Sequence, residues 1–220
     1  MLHHTQLSFK EPLEYREETY HIVLHHSEVT SRHTVEDIHR WHQNKGWAGI
    51  GYHFFIDKDG EIYEGRPLDT VGAHAYGHNK MSIGICFEGD FNKEEMNDEQ
   101  VDASIMLLAI LSLAYPESAI DAHKDLTNKD CPGKNFPMER IYENVGLCKM
   151  FLKALFGEQV ELMMVSNEWR HAHDGMGDEA EEERRHNAPD WFETGNFNYQ
   201  RFLDLLAEVE EEDWHRLCRE

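Results

Sequence analysis

Basic residues are scarce in this chain of 220 residues: 21 Lys and Arg stand against 43 Asp and Glu, a formal charge of −22 at pH 7. Neutralising a phosphate backbone needs clustered Lys and Arg, so a chain with no basic patch excludes nucleic acid as its partner. Long apolar runs are missing too. None approaches the roughly 18 residues of a membrane span, and the opening MLHHTQLSFKEPLEYREE lacks the basic, then apolar, layout of a secretion signal. The expectation is a soluble chain made in the cytoplasm. Cysteine is also sparse. Cys86, Cys131, Cys148 and Cys218 are widely spaced and form no disulfide framework, which fits a reducing compartment. What length remains suffices for one well-buried domain of common size and a small second module.

The chain up to Phe156 alternates strand and helix patterns. Tyr20 to His26 reads as a buried strand because Ile22, Val23 and Leu24 are consecutive apolar residues between polar ones. Thr34 with Asp37 is a variant capping box that opens a helix, with Val35, Ile38, Trp41 and His42 on one face and Gly46 at its end. Tyr52 to Asp57 and Glu61 to Glu64 read as a hairpin turning at Lys58-Asp59-Gly60. Arg66 to Lys80 has no periodicity and crowds His74, Tyr76, His78 and Asn79 into a long loop, a type of segment that is often functional. SIGICFEGDF at 82–91 is a further strand, and 97–115 a long helix capped by Asn97 or Asp98. Ser118 to His123 is a short strand. Met138 to Phe156 is a last helix, with Ile141, Val145, Cys148 and Leu152 at helical spacing. The expected fold class is α/β, a central mixed sheet flanked by helices.

The chemistry concentrates in AHKDLTNKDCPG, residues 122 to 133, where His123 and Cys131 stand eight positions apart with Lys129 between them. Imidazole and thiolate are two good zinc ligands. IVLHHS at 22–27 offers a third, His25 or His26, which alternation along a strand puts on opposite faces. Three protein ligands leave a fourth tetrahedral position free, the arrangement of catalytic rather than structural zinc. Cys86 in SIGIC and Cys148 on the last helix read as packing residues.

The ordered series LHHS, RWHQNKGW, GYHFFIDKDGEI, GAHAYGHNKMSIGIC and AHKDLTNKDCPG resembles the zinc-dependent N-acetylmuramoyl-L-alanine amidases. It is most similar to the short bacteriophage lysozymes of the amidase type, relatives of the peptidoglycan recognition proteins. The resemblance runs from about Tyr20 to Val145. It implies one Zn2+ per chain on His25, His123 and Cys131, with Tyr52 and Lys129 as catalytic groups. His53, His74 and Asn79 are the expected substrate contacts. It further implies hydrolysis of the amide between muramic acid and L-alanine in bacterial peptidoglycan, by an endolysin released through a membrane pore. A cytoplasmic muropeptide-recycling amidase and a non-catalytic peptidoglycan-binding protein are the alternatives. No carboxylate declares itself as general base, and that role stays open.

Residues 157–220 lie outside the resemblance. They carry 18 acidic residues, six arginines and no lysine, a charge of 6 − 18 = −12. Ser166 to Pro189 reads as an acidic linker. Asn198 to Leu217 reads as an amphipathic helix, with Phe202, Leu205, Leu206 and Val209 on one face. Trp169, Trp191 and Trp214 fit a small helical core better than a sugar-stacking surface. The expected organisation is a catalytic domain over 1–156 and an acidic, mainly helical C-terminal region over 157–220.

Overall fold

The computed structural model describes residues 2–154, so the expected linker, the tail helix, its three tryptophans and the boundary at Phe156 lie outside the described residues. Six strands form one sheet: β1 (Leu2–His3), β2 (His21–His26), β3 (Phe54–Ile56), β4 (Ile62–Glu64), β5 (Ser82–Phe87) and β6 (Ala119–Ala122). Their order is β1-β4-β3-β5-β2-β6. β3, β5, β2 and β6 run parallel to one another, while β4 returns antiparallel to β3 as the hairpin pattern requires. The mixed α/β class expected from the pattern is the one observed. All six strands fall in one compact unit, residues 1–108 with 117–145; of the described residues, 109–116 and 146–154 belong to a second.

β2 and β5 are fully or nearly fully buried because parallel strands inside a sheet are covered on both faces, and their Ile, Val, Leu and Phe residues meet that demand. Helix α1 (Val35–Asn44) starts where the capping box was expected. Thr34 Oγ1 accepts from the Asp37 N–H at 3.3 Å, and Asp37 Oδ2 accepts from the Thr34 N–H at 3.0 Å. Its Val35 and Ile38 pack with Ile50, Phe55 and Cys86 on one face of the sheet. Helix α2 (Asp98–Ala114) is apolar on nearly all sides, the mark of a buried helix. Asn97 caps it, its Oδ1 accepting from the Gln100 N–H at 2.9 Å. A four-residue helix, α3 (His123–Leu126), follows β6 directly, and a further helix, α4, covers residues 138–154.

Several strands are shorter than their patterns. Tyr52 and His53 precede β3, yet their backbone is tied on both sides: the His53 N–H bonds to the Gly84 carbonyl, and the Tyr52 and His53 carbonyls accept from Arg66 and Gly65. β5 stops at Phe87, after which Glu88 turns inward. Its wholly buried carboxylate takes the backbone N–H of His33 at 2.7 Å and of Lys58 at 2.8 Å. His123 opens α3 and does not end β6. No helix among the described residues is long and apolar enough to cross a membrane.

Candidate metal centre

His25 is the fifth residue of β2. In the parallel register it lies beside Cys86 of β5, which lies beside Phe55 of β3. These three side chains therefore share the face that α1 covers. β6 delivers Ala122 to the same end of the sheet, and the turn into α3 presents His123. The His123 carbonyl is held by the N–H and the hydroxyl of Thr127, each at 3.0 Å. The chain then loops back, and the Lys124 N–H donates to the Cys131 carbonyl at 2.8 Å, which ties Cys131 to the residue after His123. The metal-binding atoms of His25, His123 and Cys131 lie within 4.8 Å of one another.

The spacing suits a small tetrahedral ion. Typical bonds of ~2.1 Å to nitrogen and ~2.3 Å to sulfur separate two donors by about 3.6 Å. Cys131 Sγ and His25 Nδ1 are 3.7 Å apart. The other nitrogen of His25 is engaged, with Nε2 lying 3.0 Å from Nδ1 of His74. If Nδ1 of His25 binds a metal, Nε2 carries the proton and donates to His74, whose own Nε2 then donates to Ser82, 3.4 Å away at Oγ. Burial holds His25 well below the ordinary imidazole range, reinforced by His74 and His123, and burial brings His74 down to about 3. Burial also lowers His123, with the Lys129 charge adding to it. All three imidazoles are thus neutral, which leaves His25 and His123 able to bind a cation while His74 braces His25. Burial pushes the Cys131 thiol up to about 12, opposed by a hydrogen bond from the His26 N–H.

Tyr52 is half-buried, its ring 5.1 Å from that of His25. Its hydroxyl bonds to the Cys86 thiol, and burial raises its pKa well above the usual phenol value. Lys129 is exposed on the loop that joins His123 to Cys131. His74 lies behind His25, and Asn79 holds its loop: Oδ1 accepts from the N–H groups of His74 and Ala75, both at 2.8 Å. His53 has no exposed surface. Its Nδ1 accepts from the Gly84 N–H at 2.9 Å, and its Nε2 lies 2.8 Å from the Thr70 carbonyl and 3.1 Å from Arg16 Nη1. A ring so enclosed does not reach substrate in this structure. It anchors the segment carrying Tyr52 instead.

Glycines at two positions make room for the His74 ring. A Cβ on Gly84 would stand 2.5 Å from its carbons, and one on Gly72 would stand 2.4 Å away. Sequence reading did not single out Gly72, Gly84, Ser82 or Arg16, because nothing local to them carries chemistry. An alternating strand with a small residue in an otherwise bulky run, SIGIC, is the only signal that bears on Gly84.

The N-acetylmuramoyl-L-alanine amidase family model matches residues 1–134. The endolysin of Klebsiella phage KP32 is 35% identical over 135 residues, covering 58% of this chain and 88% of the relative. The solved N-acetylmuramoyl-L-alanine amidase LysC from Clostridium intestinale superposes with a TM-score of 0.64 at 38% identity, over 66% of this chain and 97% of that one. Drosophila PGRP-LB superposes with a TM-score of 0.56 at 28% identity, over 61% and 89%.

Proposed function

The chain belongs to the N-acetylmuramoyl-L-alanine amidase family, and from that premise we propose that it is a zinc-dependent peptidoglycan hydrolase of the phage-endolysin type, cleaving the amide between N-acetylmuramic acid and L-alanine. The observation that carries the zinc reading is the convergence of His25, His123 and Cys131 from β2, α3 and the following loop. A metal held by these three donors would supply Lewis acidity, polarising the scissile carbonyl and acidifying a water. The remaining work falls to the chain's own side chains. Lys129 sets a positive charge beside His123, where it opposes the negative charge that develops on the carbonyl oxygen. Tyr52, whose raised pKa keeps it protonated at all working pH values, serves as a hydrogen-bond donor and not as a base. His74 orients His25, and the loop it shares with Asn79 forms a wall for the muropeptide. His53 acts from behind by holding the backbone next to Tyr52.

The donor set favours this reading over a non-catalytic peptidoglycan binder, since all three ligands are present and converge. Endolysin relatives matched over most of their length favour lysis of the wall over recycling of soluble fragments. Digestion of purified sacculi, with mass spectrometry of the products, tests the reaction. Free stem peptides beginning at L-alanine are expected, and intact glycan-linked stems would refute it. About one zinc per chain is expected in the purified protein, with loss of hydrolysis in a strong chelator. Full zinc content and activity in Cys131→Ala would overturn the ligand assignment.

A further inference from the structure

β-strand alternation turns His26 away from the metal centre, onto the opposite face of the sheet, and it is 4% exposed. Its surroundings nevertheless converge on Cys131. The Phe91 N–H donates to His26 Nδ1 at 3.1 Å, so Nδ1 is the bare nitrogen and Nε2 carries the proton. The ring hydrogen-bonds the backbone of Asp130, the residue before Cys131. The same Asp130 carbonyl accepts from Asn92 Nδ2 at 3.4 Å, and Asn92 Oδ1 takes the Lys134 N–H at 3.0 Å. The Phe91 carbonyl takes the Asn135 N–H at 2.8 Å. On its main-chain side, the His26 N–H bonds to the Cys131 sulfur. One residue therefore grips the cysteine loop twice: by its ring before the thiol and by its amide at the thiol.

We infer that His26 is a positioning residue for the metal centre, its neutral ring bridging the Phe91 amide to the Asp130 carbonyl so that Cys131 meets His25 at ligand distance. The geometry gives a reason. Cys131 is the only ligand of the three delivered by an irregular loop, and a loop fixes a donor less tightly than a strand does. Asp90 faces the ring, its Oδ1 3.9 Å from His26 Nδ1, and is already paired with Lys93 at 2.6 Å, while Glu28 and Asp130 act on the ring only through their charge and, for Asp130, its backbone. The ring is therefore a hydrogen-bonding bridge and not half of an ion pair.

This inference rests on the zinc reading, and its test separates the two. Metal-free protein spanning residues 1–220 is titrated with Zn2+ against a chromophoric chelator, and with Co2+ while the thiolate-to-cobalt absorption is followed. If the unsubstituted protein binds neither ion, the zinc reading itself fails. Given that it binds, His26→Gln retains a donor at the reach of Nε2, whereas His26→Asn retains only an acceptor at the reach of Nδ1. His26→Gln is expected to stay within about threefold of the parent in affinity, and His26→Asn to weaken ten- to hundredfold with a diminished cobalt–thiolate band, the usual scale for partners that orient metal ligands. Affinity equal to the parent's in both variants would overturn the inference, as would a fall in thermal stability of the metal-free protein with no change in metal affinity. Asn92→Ala removes the second donor to Asp130 and leaves His26 intact. It is expected to weaken Zn2+ binding less than His26→Asn, and a larger loss would assign the loop to Asn92 instead.

Discussion

His42 shows how a single side chain can be read two ways until its partners are known. Its place on the apolar face of α1 suggests packing, and it is buried there. Its Nδ1, however, accepts the Gly51 N–H at 2.9 Å, just ahead of Tyr52. Burial lowers its pKa to about 4, helped by Lys45 and Arg66. An unfolded histidine titrates near 6.5, so between roughly pH 6.5 and 4 the unfolded chain binds a proton that the folded chain refuses. Stability from this residue is therefore complete above pH 6.5 and is lost as pH falls towards 4, by up to about 3 kcal/mol. Asn keeps an acceptor at the position of Nδ1 and does not titrate. Denaturant unfolding of His42→Asn across pH 7 to 4 is expected to show a shallower loss than the parent, and identical slopes would contradict the lowered pKa. Lys129 gives the complementary case, an exposed charge whose role is chemical. Lys129→Ala is expected to keep zinc and thermal stability while turnover falls by about a hundredfold, the usual effect of losing an oxyanion donor. An unchanged rate would make Lys129 an ordinary surface charge.

At the scale of elements, the sequence was most informative where one residue type has one physical use. The Thr34–Asp37 box, the Ile22–Leu24 run and the Lys58-Asp59-Gly60 turn each declare local structure, and all three appear as expected. The turn needs Gly60, whose φ is 77°. What local pattern cannot convey is contact between distant segments. β1 is two residues long and pairs with β4 across some 60 positions, too short a run to carry a period. The enclosure of His53, which the family resemblance assigns to substrate, depends on Arg16 and Thr70, from two other segments. For His26, alternation describes the direction of its side chain and says nothing of the loop that returns to meet it. β5 supplies the testable case. Gly84 leaves bare backbone against which the His74 ring lies, so Gly84→Ala would force that ring off β5 and leave His25 unbraced. The expected result is a loss of about 1–3 kcal/mol from overpacking with a ten- to hundredfold weaker affinity for Zn2+. Gly146 in α4 is the control, since a Cβ there meets nothing within 4 Å. Gly146→Ala is expected to raise the melting temperature slightly and leave zinc binding alone.

For the whole molecule, the question is how much of the chain the reaction needs. Every proposed ligand and catalytic group lies between His25 and Cys131, and the family model ends at residue 134. Residues 157–220 hold none of them but carry −12 of the total −22. We therefore propose that residues 1–156 form the catalytic domain, and a chain ending at Phe156 is expected to bind one zinc and to hydrolyse a small soluble muropeptide at the parent rate. The intact wall is a different substrate because it is itself anionic. An acidic tail adds long-range repulsion that acts over a Debye length of ~8 Å at physiological ionic strength and shrinks to ~3 Å at 1 M salt. Removing the tail should thus strengthen sedimentation with purified walls at low salt, and the difference from the full chain should vanish at high salt. Should the shortened chain instead bind walls more weakly at every ionic strength, residues 157–220 supply short-range contacts to sugar or peptide that outweigh their charge. Loss of muropeptide hydrolysis in a shortened chain that still folds and holds zinc would move the domain boundary beyond Phe156 and make the tail part of the active site.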